Sequence, residues 1–258
     1  LPSNCGSCNS TNIRMFGTGT QKIEAIIGET FSNASFVRVD MDTSKTVTAL
    51  TSAISSFGSG DVDILLGTQM ISKGLDFENV GLVSVLSADQ MLKFPDYRAF
   101  ERSYQLMSQV AGRAGRKKKR GKVIIQSFEP NHWVIQKVMK NDYIGLYTQE
   151  ILERRNFNYP PFFRVIVIQL RHKKNDILEF GAQYLAKELK DVFKERVLGP
   201  ETPMIGRVRN YYLQNITIKF ERNASPQKVK EIIKQKQEMF MAQHEFRSIR
   251  FVIDVDPQ

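Results

Sequence analysis

The sequence predicts an α/β domain with a mainly parallel sheet, followed by a smaller α+β domain of order βαββαβ. Three observations carry this. Short apolar runs alternate with stretches of helical periodicity from the amino terminus to Phe128. Asn158-Tyr159-Pro160-Pro161 then stops helix propagation and marks a boundary. Beyond it the order changes, with strand patterns following one another as well as helices.

Taken in order, Asn12–Phe16 reads as a short strand. After Gly17-Thr18-Gly19-Thr20 a helix begins with Thr20 at its cap and Ile23, Ile26 and Ile27 on one face. Phe36–Asp40 is the next strand and Thr43–Phe57 the next helix. Asp63–Gly67 and Gly81–Leu86 are apolar enough for parallel strands. A helix near Asp96–Ala111 carries Tyr97, Phe100, Tyr104, Met107 and Ala111 at spacings of three and four, a stripe suited to core packing. Gly121–Phe128 completes the sheet, with ligand sites expected at the carboxyl ends of its strands, where Thr68 and the arginine turn described below would fall. Residues 132–158 read as helical and connecting.

In the second part Val165–Leu170 is a strand and Ile177–Arg196 a helix with Phe180, Tyr184, Leu185, Leu189 and Val192 inward. Two strands follow, around Met204–Val208 and Tyr211–Phe220, the latter alternating Ile216, Ile218 and Phe220. A helix from Pro226 to about His244 and a strand Arg250–Val255 complete an antiparallel sandwich of ferredoxin-like or similar topology.

At 258 residues, 41% hydrophobic and 25% charged, the chain suits one large domain or two of ordinary size. Lys plus Arg exceed Asp plus Glu by 37 − 27 = 10, which favours a polyanionic partner without identifying it. No apolar run approaches the roughly 20 residues that span a bilayer, and Leu-Pro-Ser-Asn-Cys is no signal peptide. A cytoplasmic protein with no membrane partner is expected.

The chemistry concentrates in Gln109-Val110-Ala111-Gly112-Arg113-Ala114-Gly115-Arg116. Two arginines three residues apart, each after a glycine, suit a turn that aims two permanently charged forks at a polyphosphate. The alternative is a basic helix end running into the solvated charges of Lys117–Arg120. Upstream, an apolar run ends in Gly67-Thr68-Gln69-Met70, and Lys73-Gly74-Leu75-Asp76 follows. Thr68 and Gln69, at a strand end, are candidates for contacts with phosphates along single-stranded DNA. Thr20 is another, since a helix amino end offers free N–H groups; plain capping is the competing role. Lys73 is a phosphate ligand or merely solvated.

Gly-Thr-Gln-Met-x-x-Lys-Gly followed by Gln-Val-Ala-Gly-Arg-Ala-Gly-Arg resembles motifs V and VI of superfamily 2 helicases. The fuller string, with Cys5-x-x-Cys8, Gly17–Thr20, Pro160-Pro161 and Val252–Pro257, is similar to the PriA-type replication-restart DNA helicases across essentially the whole chain. The resemblance implies a second RecA-like helicase lobe and a C-terminal domain. Residues 1–16 would be the remnant of a zinc-binding insertion with a first strand, 17–131 the lobe, 132–161 a helical connector and 162–258 the terminal domain. It implies that Arg113 and Arg116 reach nucleotide on a first lobe, that Gln109 and Gly112 shape their turn, and that Gly74 and Asp76 serve the nucleotide. A helix cap or surface carboxylate is the plain alternative for Asp76.

No phosphate-cradling Gly-x-x-x-x-Gly-Lys-[Ser/Thr] and no Asp-Glu box occur, so ATP and Mg²⁺ are expected to bind together with a lobe outside this sequence, leaving the chain inactive alone. Cys5 and Cys8 are half a Zn²⁺ site; four ligands are needed, and His132, His172 and His244 lie far away in sequence. By resemblance the partners are single-stranded and branched DNA, the single-stranded DNA-binding protein with its acidic tail, and other primosome proteins, in a bacterial cytoplasm at the nucleoid. Arg207, Arg209, Lys219, Arg222, Lys228, Lys230, Lys234 and Lys236 form either a partner-facing surface or solubilising charge. Two competing functions remain at this stage, a non-catalytic DNA-binding scaffold and another superfamily 2 repair translocase.

Overall fold

A computed structural model of the chain describes residues 4, 9–11, 19–40, 46–68, 80–112, 114 and 121–257. The chain divides into two compact units, Leu1–Leu146 and Tyr147–Gln258. Among the described residues no helix is long and apolar enough to cross a membrane.

In the first unit the elements run α1 (Thr20–Thr30), β1 (Phe36–Val39), α2 (Val47–Ser59), β2 (Ile64–Gly67), β3 (Leu82–Val85), α3 (Asp89–Leu92), α4 (Ala99–Ala111), β4 (Lys122–Ile125) and α5 (Trp133–Met139). The expected strand at Asn12–Phe16 lies outside the described residues. The strands are parallel, as the alternating pattern requires, but among the described residues they form two pairs, β1–β2 and β3–β4, in place of one continuous sheet. Thr46 caps α2, its hydroxyl accepting the Ala49 N–H at 3.2 Å, and Gly60 ends that helix at φ 88°, a left-handed geometry that glycine adopts without a Cβ clash.

α4 begins three residues later than its periodicity suggests. Asp96 accepts the Arg98 N–H at 2.9 Å and an Arg102 guanidinium N–H at 2.7 Å, so the acid organises the turn before the helix. The stripe on α4 packs as expected: Tyr104 and Met107 are buried with Ala88, Leu92, Val134, Ile135, Val138 and Leu146. α5, from the stretch expected to connect, thus contributes three side chains to this core, and Trp133 meets Phe100 edge-on at 5.2 Å. β3 and β4 are more exposed than their apolar sequences suggest, Leu82 by 55% and Ile124 by 52%.

α6 (Tyr143–Asn156) leads into β5 (Phe163–His172), α7 (Asn175–Phe193), β6 (Val197–Glu201), β7 (Arg207–Val208), β8 (Tyr211–Glu221), α8 (Pro226–Ala242) and β9 (Arg250–Val255). The sheet order is β6-β8-β5-β9, all neighbours antiparallel, with β7 added beside β8. That is the ferredoxin-like split βαβ arrangement, in which each helix links two strands that leave a place between them. Ile166, Ile168 and Leu170 of β5 and Ile216, Ile218 and Phe220 of β8 point to the helix-covered face and are buried there.

Two expectations need correction here. The first strand after α7 is Val197–Glu201, not Met204–Val208. Gly199-Pro200 hides its strand character from sequence reading, while Met204 and Ile205 are 72% and 66% exposed. On α7, Phe180 and Val192 are mainly exposed, because the inward row is Leu178, Ala182, Leu185, Ala186, Leu189 and Phe193. A reading weighted to large apolar residues misses small ones that allow a helix close to a sheet. β9 keeps its expected bounds, and just past it Asp256 accepts the Val165 N–H at 3.2 Å and donates its own N–H to the Val165 carbonyl at 2.8 Å, clasping β5.

Candidate nucleotide and nucleic-acid site

The arginine motif continues the chain from the end of α4. The Gly112 N–H closes the last turn onto the Ser108 carbonyl at 3.0 Å, and the Ala114 N–H reaches the Ala111 carbonyl at 3.3 Å. Gln109 and Gly112 are both exposed. Arg113 and Arg116 themselves lie outside the described residues, as do Gln69, Lys73, Gly74, Asp76, Cys5 and Cys8. In chain order the motif lies between α4 and β4, and its expected placement against the carboxyl ends of the strands falls outside the described residues. Thr68 does follow such an end, one residue past β2, and is exposed.

Thr20 is not the cap of α1; Gly19 is. The Thr20 hydroxyl instead donates to Asp40 Oδ2 at 2.7 Å. Asp40 is 6% exposed at the end of β1, and the same oxygen faces Arg38 Nε at 2.9 Å. Arg38 also holds Glu24. A hydroxyl has one proton, so in this arrangement the Thr20 side chain can only accept. What the entrance of α1 offers a phosphate is therefore backbone N–H, not hydroxyl. Asp40, Arg38 and Glu24 escaped sequence reading; the one available signal was an acid placed where a strand meets its ligand edge.

A second buried acid organises the carboxyl edge of the β3–β4 pair. Asp89, 5% exposed, accepts the Ser127 hydroxyl at 2.9 Å and the Phe128 N–H at 3.1 Å. Burial alone would raise its carboxyl. The bonds from Phe128, Ser127 and its own backbone, with the Lys93 charge, outweigh that and hold it below the ordinary range. Lys93 in turn pairs with Glu129 at 2.7 Å.

In the second unit, several of the basic residues considered as a binding surface have local duties. Lys219 donates to the Phe157 carbonyl at 2.9 Å and lies 3.4 Å from the Tyr159 ring centroid, and burial pushes its pKa down. Lys236 pairs with Glu188 at 2.7 Å, and Lys234 approaches Glu238 at 3.9 Å. Arg207 lies over Tyr212 and remains exposed.

Among the described residues no group of three or more His, Cys, Asp or Glu is placed to hold a metal. His132 accepts the Val134 N–H and caps α5, while His172 bonds to Lys174 and Ser248.

Parallel strand pairs with helices, Gly112-Arg-Ala-Gly-Arg116 following α4 in the sequence, and then a ferredoxin-like unit make up a helicase C-terminal lobe with an added domain. Residues 7–118 match the helicase conserved C-terminal domain, a RecA-like lobe, and residues 155–258 match the primosomal protein N C-terminal domain. The replication restart protein PriA of Bacillus subtilis is 38% identical over 259 residues, covering 100% of this chain and 32% of the relative. Those of Synechocystis and Chlamydia pneumoniae are 36% and 42% identical over 85% and 64% of the chain, and 27% and 22% of the relatives. The chain belongs to the PriA family and corresponds to its C-terminal part. It spans about a third of the length of the Bacillus relative.

Proposed function

We propose that this chain supplies the second motor lobe and the C-terminal domain of an ATP-dependent DNA helicase that acts in replication restart and primosome assembly. The observation that carries this is a chain-long similarity to replication restart proteins, together with Gln109-Val-Ala-Gly-Arg-Ala-Gly-Arg116 running on from α4 in the sequence. Neither competing function needs that turn together with a primosomal C-terminal domain.

In this reading Arg113 and Arg116 close onto the transferred phosphoryl group of ATP held with Mg²⁺ on a first lobe, where fixed positive charge stabilises the transition state. Gln109 and Gly112 shape the turn; Gly74 and Asp76 serve the nucleotide. Thr68, Gln69, Lys73 and the backbone at Thr20 grip phosphates of one DNA strand. When the phosphoryl group leaves, the arginines release, the lobes reopen and the grips shift along the strand, with 3′-to-5′ polarity. Backbone contacts make the motion independent of sequence. Cys5 and Cys8 complete a zinc site whose other ligands lie elsewhere in the longer protein. Branched DNA, the acidic tail of the single-stranded DNA-binding protein and other primosome proteins are the partners, in the bacterial cytoplasm.

The test is Arg116→Ala in the longer protein. It lowers kcat for DNA-stimulated ATP hydrolysis by about a thousandfold or more and leaves single-strand affinity nearly unchanged. Lost DNA affinity with unaltered turnover would reassign the residue and end this reading.

A further inference from the structure

Phe128 is 88% exposed, more than any other large hydrophobic residue described, and Phe94 is 51% exposed. Singly exposed apolar side chains are ordinary, but these two sit on loops that are tied to each other. In chain order both lie beyond the carboxyl edge of the parallel β3–β4 pair, Phe94 past the short α3 that follows Val85 and Phe128 in the segment after Ile125. The Ala88 N–H donates to the Gln126 carbonyl at 3.0 Å, and Asp89 holds Ser127 and Phe128. The ion pair Lys93–Glu129 bridges residues adjacent in sequence to each ring. The two rings are thus presented to solvent on a stapled platform, with little ordering left to lose on binding.

We infer that Phe94 and Phe128 form a stacking site for unpaired DNA bases at the carboxyl edge of the β3–β4 pair. This rests on the DNA-translocating function proposed above and adds base contacts to a motor otherwise gripping phosphates. The carboxyl edge of parallel strands is where ligands of such sheets bind. The excess of ten positive charges suits a polyanion, and an aromatic face accepts any base, as sequence-independent travel requires.

The experiment measures binding of this chain to an oligothymidylate and to an abasic strand of equal length at one fixed salt concentration. Phe128→Ala weakens oligothymidylate binding about tenfold and leaves abasic-strand binding and the salt slope unchanged. Phe128→Tyr keeps the wild-type affinity, and Phe94→Ala gives a smaller loss in the same direction. A 2-aminopurine placed in the strand is quenched by the wild type and not by Phe128→Ala. Equal oligothymidylate affinity of wild type and Phe128→Ala, including no binding by either, overturns the inference. So does an equal loss on the abasic strand, or a change confined to protein stability, which would mark the rings as a protein contact. DNA-independent ATP hydrolysis by the longer protein is untouched by Phe128→Ala, so failure here leaves the Arg116→Ala result standing.

Discussion

The Thr20 hydroxyl gives its proton to Asp40 Oδ2 across 2.7 Å, joining the first turn of α1 to the end of β1. With Arg38 Nε on the same oxygen at 2.9 Å, the acid draws two partners onto one spot. The bond makes the threonine side chain a strut. Thr20→Val keeps the shape and removes one hydrogen bond from a buried carboxylate that Arg38 still pairs, at a cost of about 1–2 kcal/mol. Urea denaturation reads that loss. Affinity for single-stranded DNA should change by less than about twofold, since backbone contact does not need the hydroxyl. Weakened DNA binding at unaltered stability would instead make the hydroxyl a phosphate ligand.

Asp89 gives the fold a defined acid limb. Its carboxyl is held below the ordinary value of 3.8 in the folded chain, so the unfolded chain takes up the proton first as pH falls. The stability it contributes is complete above that ordinary value and disappears as pH drops through the lower folded value. Asp63, Asp142 and Glu221 are lowered too and add to the same limb. In Asp89→Asn the amide N–H₂ faces donors from Ser127 or Phe128, which lowers the urea midpoint at neutral pH. The gap from wild type should narrow between pH 5 and pH 2, around the aspartate range. A gap of constant size across that range would show that the charge on Asp89 contributes nothing.

Much of this architecture was legible because local periodicity and tertiary burial agree. Ile216, Ile218 and Phe220 alternate in sequence and are all buried on one face of β8. Legibility failed where a partner is distant in the chain. The Thr20–Asp40 bond spans 20 positions and the Asp89–Phe128 bond 39, and neither leaves a periodic trace. It also failed where shape matters more than hydrophobicity. Ala182 and Ala186 face the sheet on α7 because they are small, and β6 pairs through its backbone despite Gly199-Pro200. The arginine motif led to the expectation of a nucleotide site through residue type and spacing alone. The phenylalanine platform did not, since its two segments meet through pairs distant in the chain, Ala88–Gln126, Asp89–Phe128 and Lys93–Glu129.

Gly181 shows how tightly α7 approaches its neighbours. A Cβ there would lie 2.5 Å from Ile249 Cδ1, 3.2 Å from Phe240 Cζ and 3.3 Å from Phe246 Cδ1. All three neighbours are about 1% exposed, so none can swing into solvent. Gly181→Ala gains about 1 kcal/mol of helix propensity and meets an overpacking cost of about 1–3 kcal/mol. The balance should be a net loss of stability, read as a lower urea midpoint with unchanged slope. Ile249→Val removes the methyl nearest the new Cβ. By itself that substitution costs about 1 kcal/mol through a small cavity. Combined with Gly181→Ala it should cost less than the sum of the two single changes, because each relieves the other's misfit. Strict additivity in that double-mutant cycle would mean that the helix shifts away as a body, and that the glycine is not what sets the distance between α7 and Ile249.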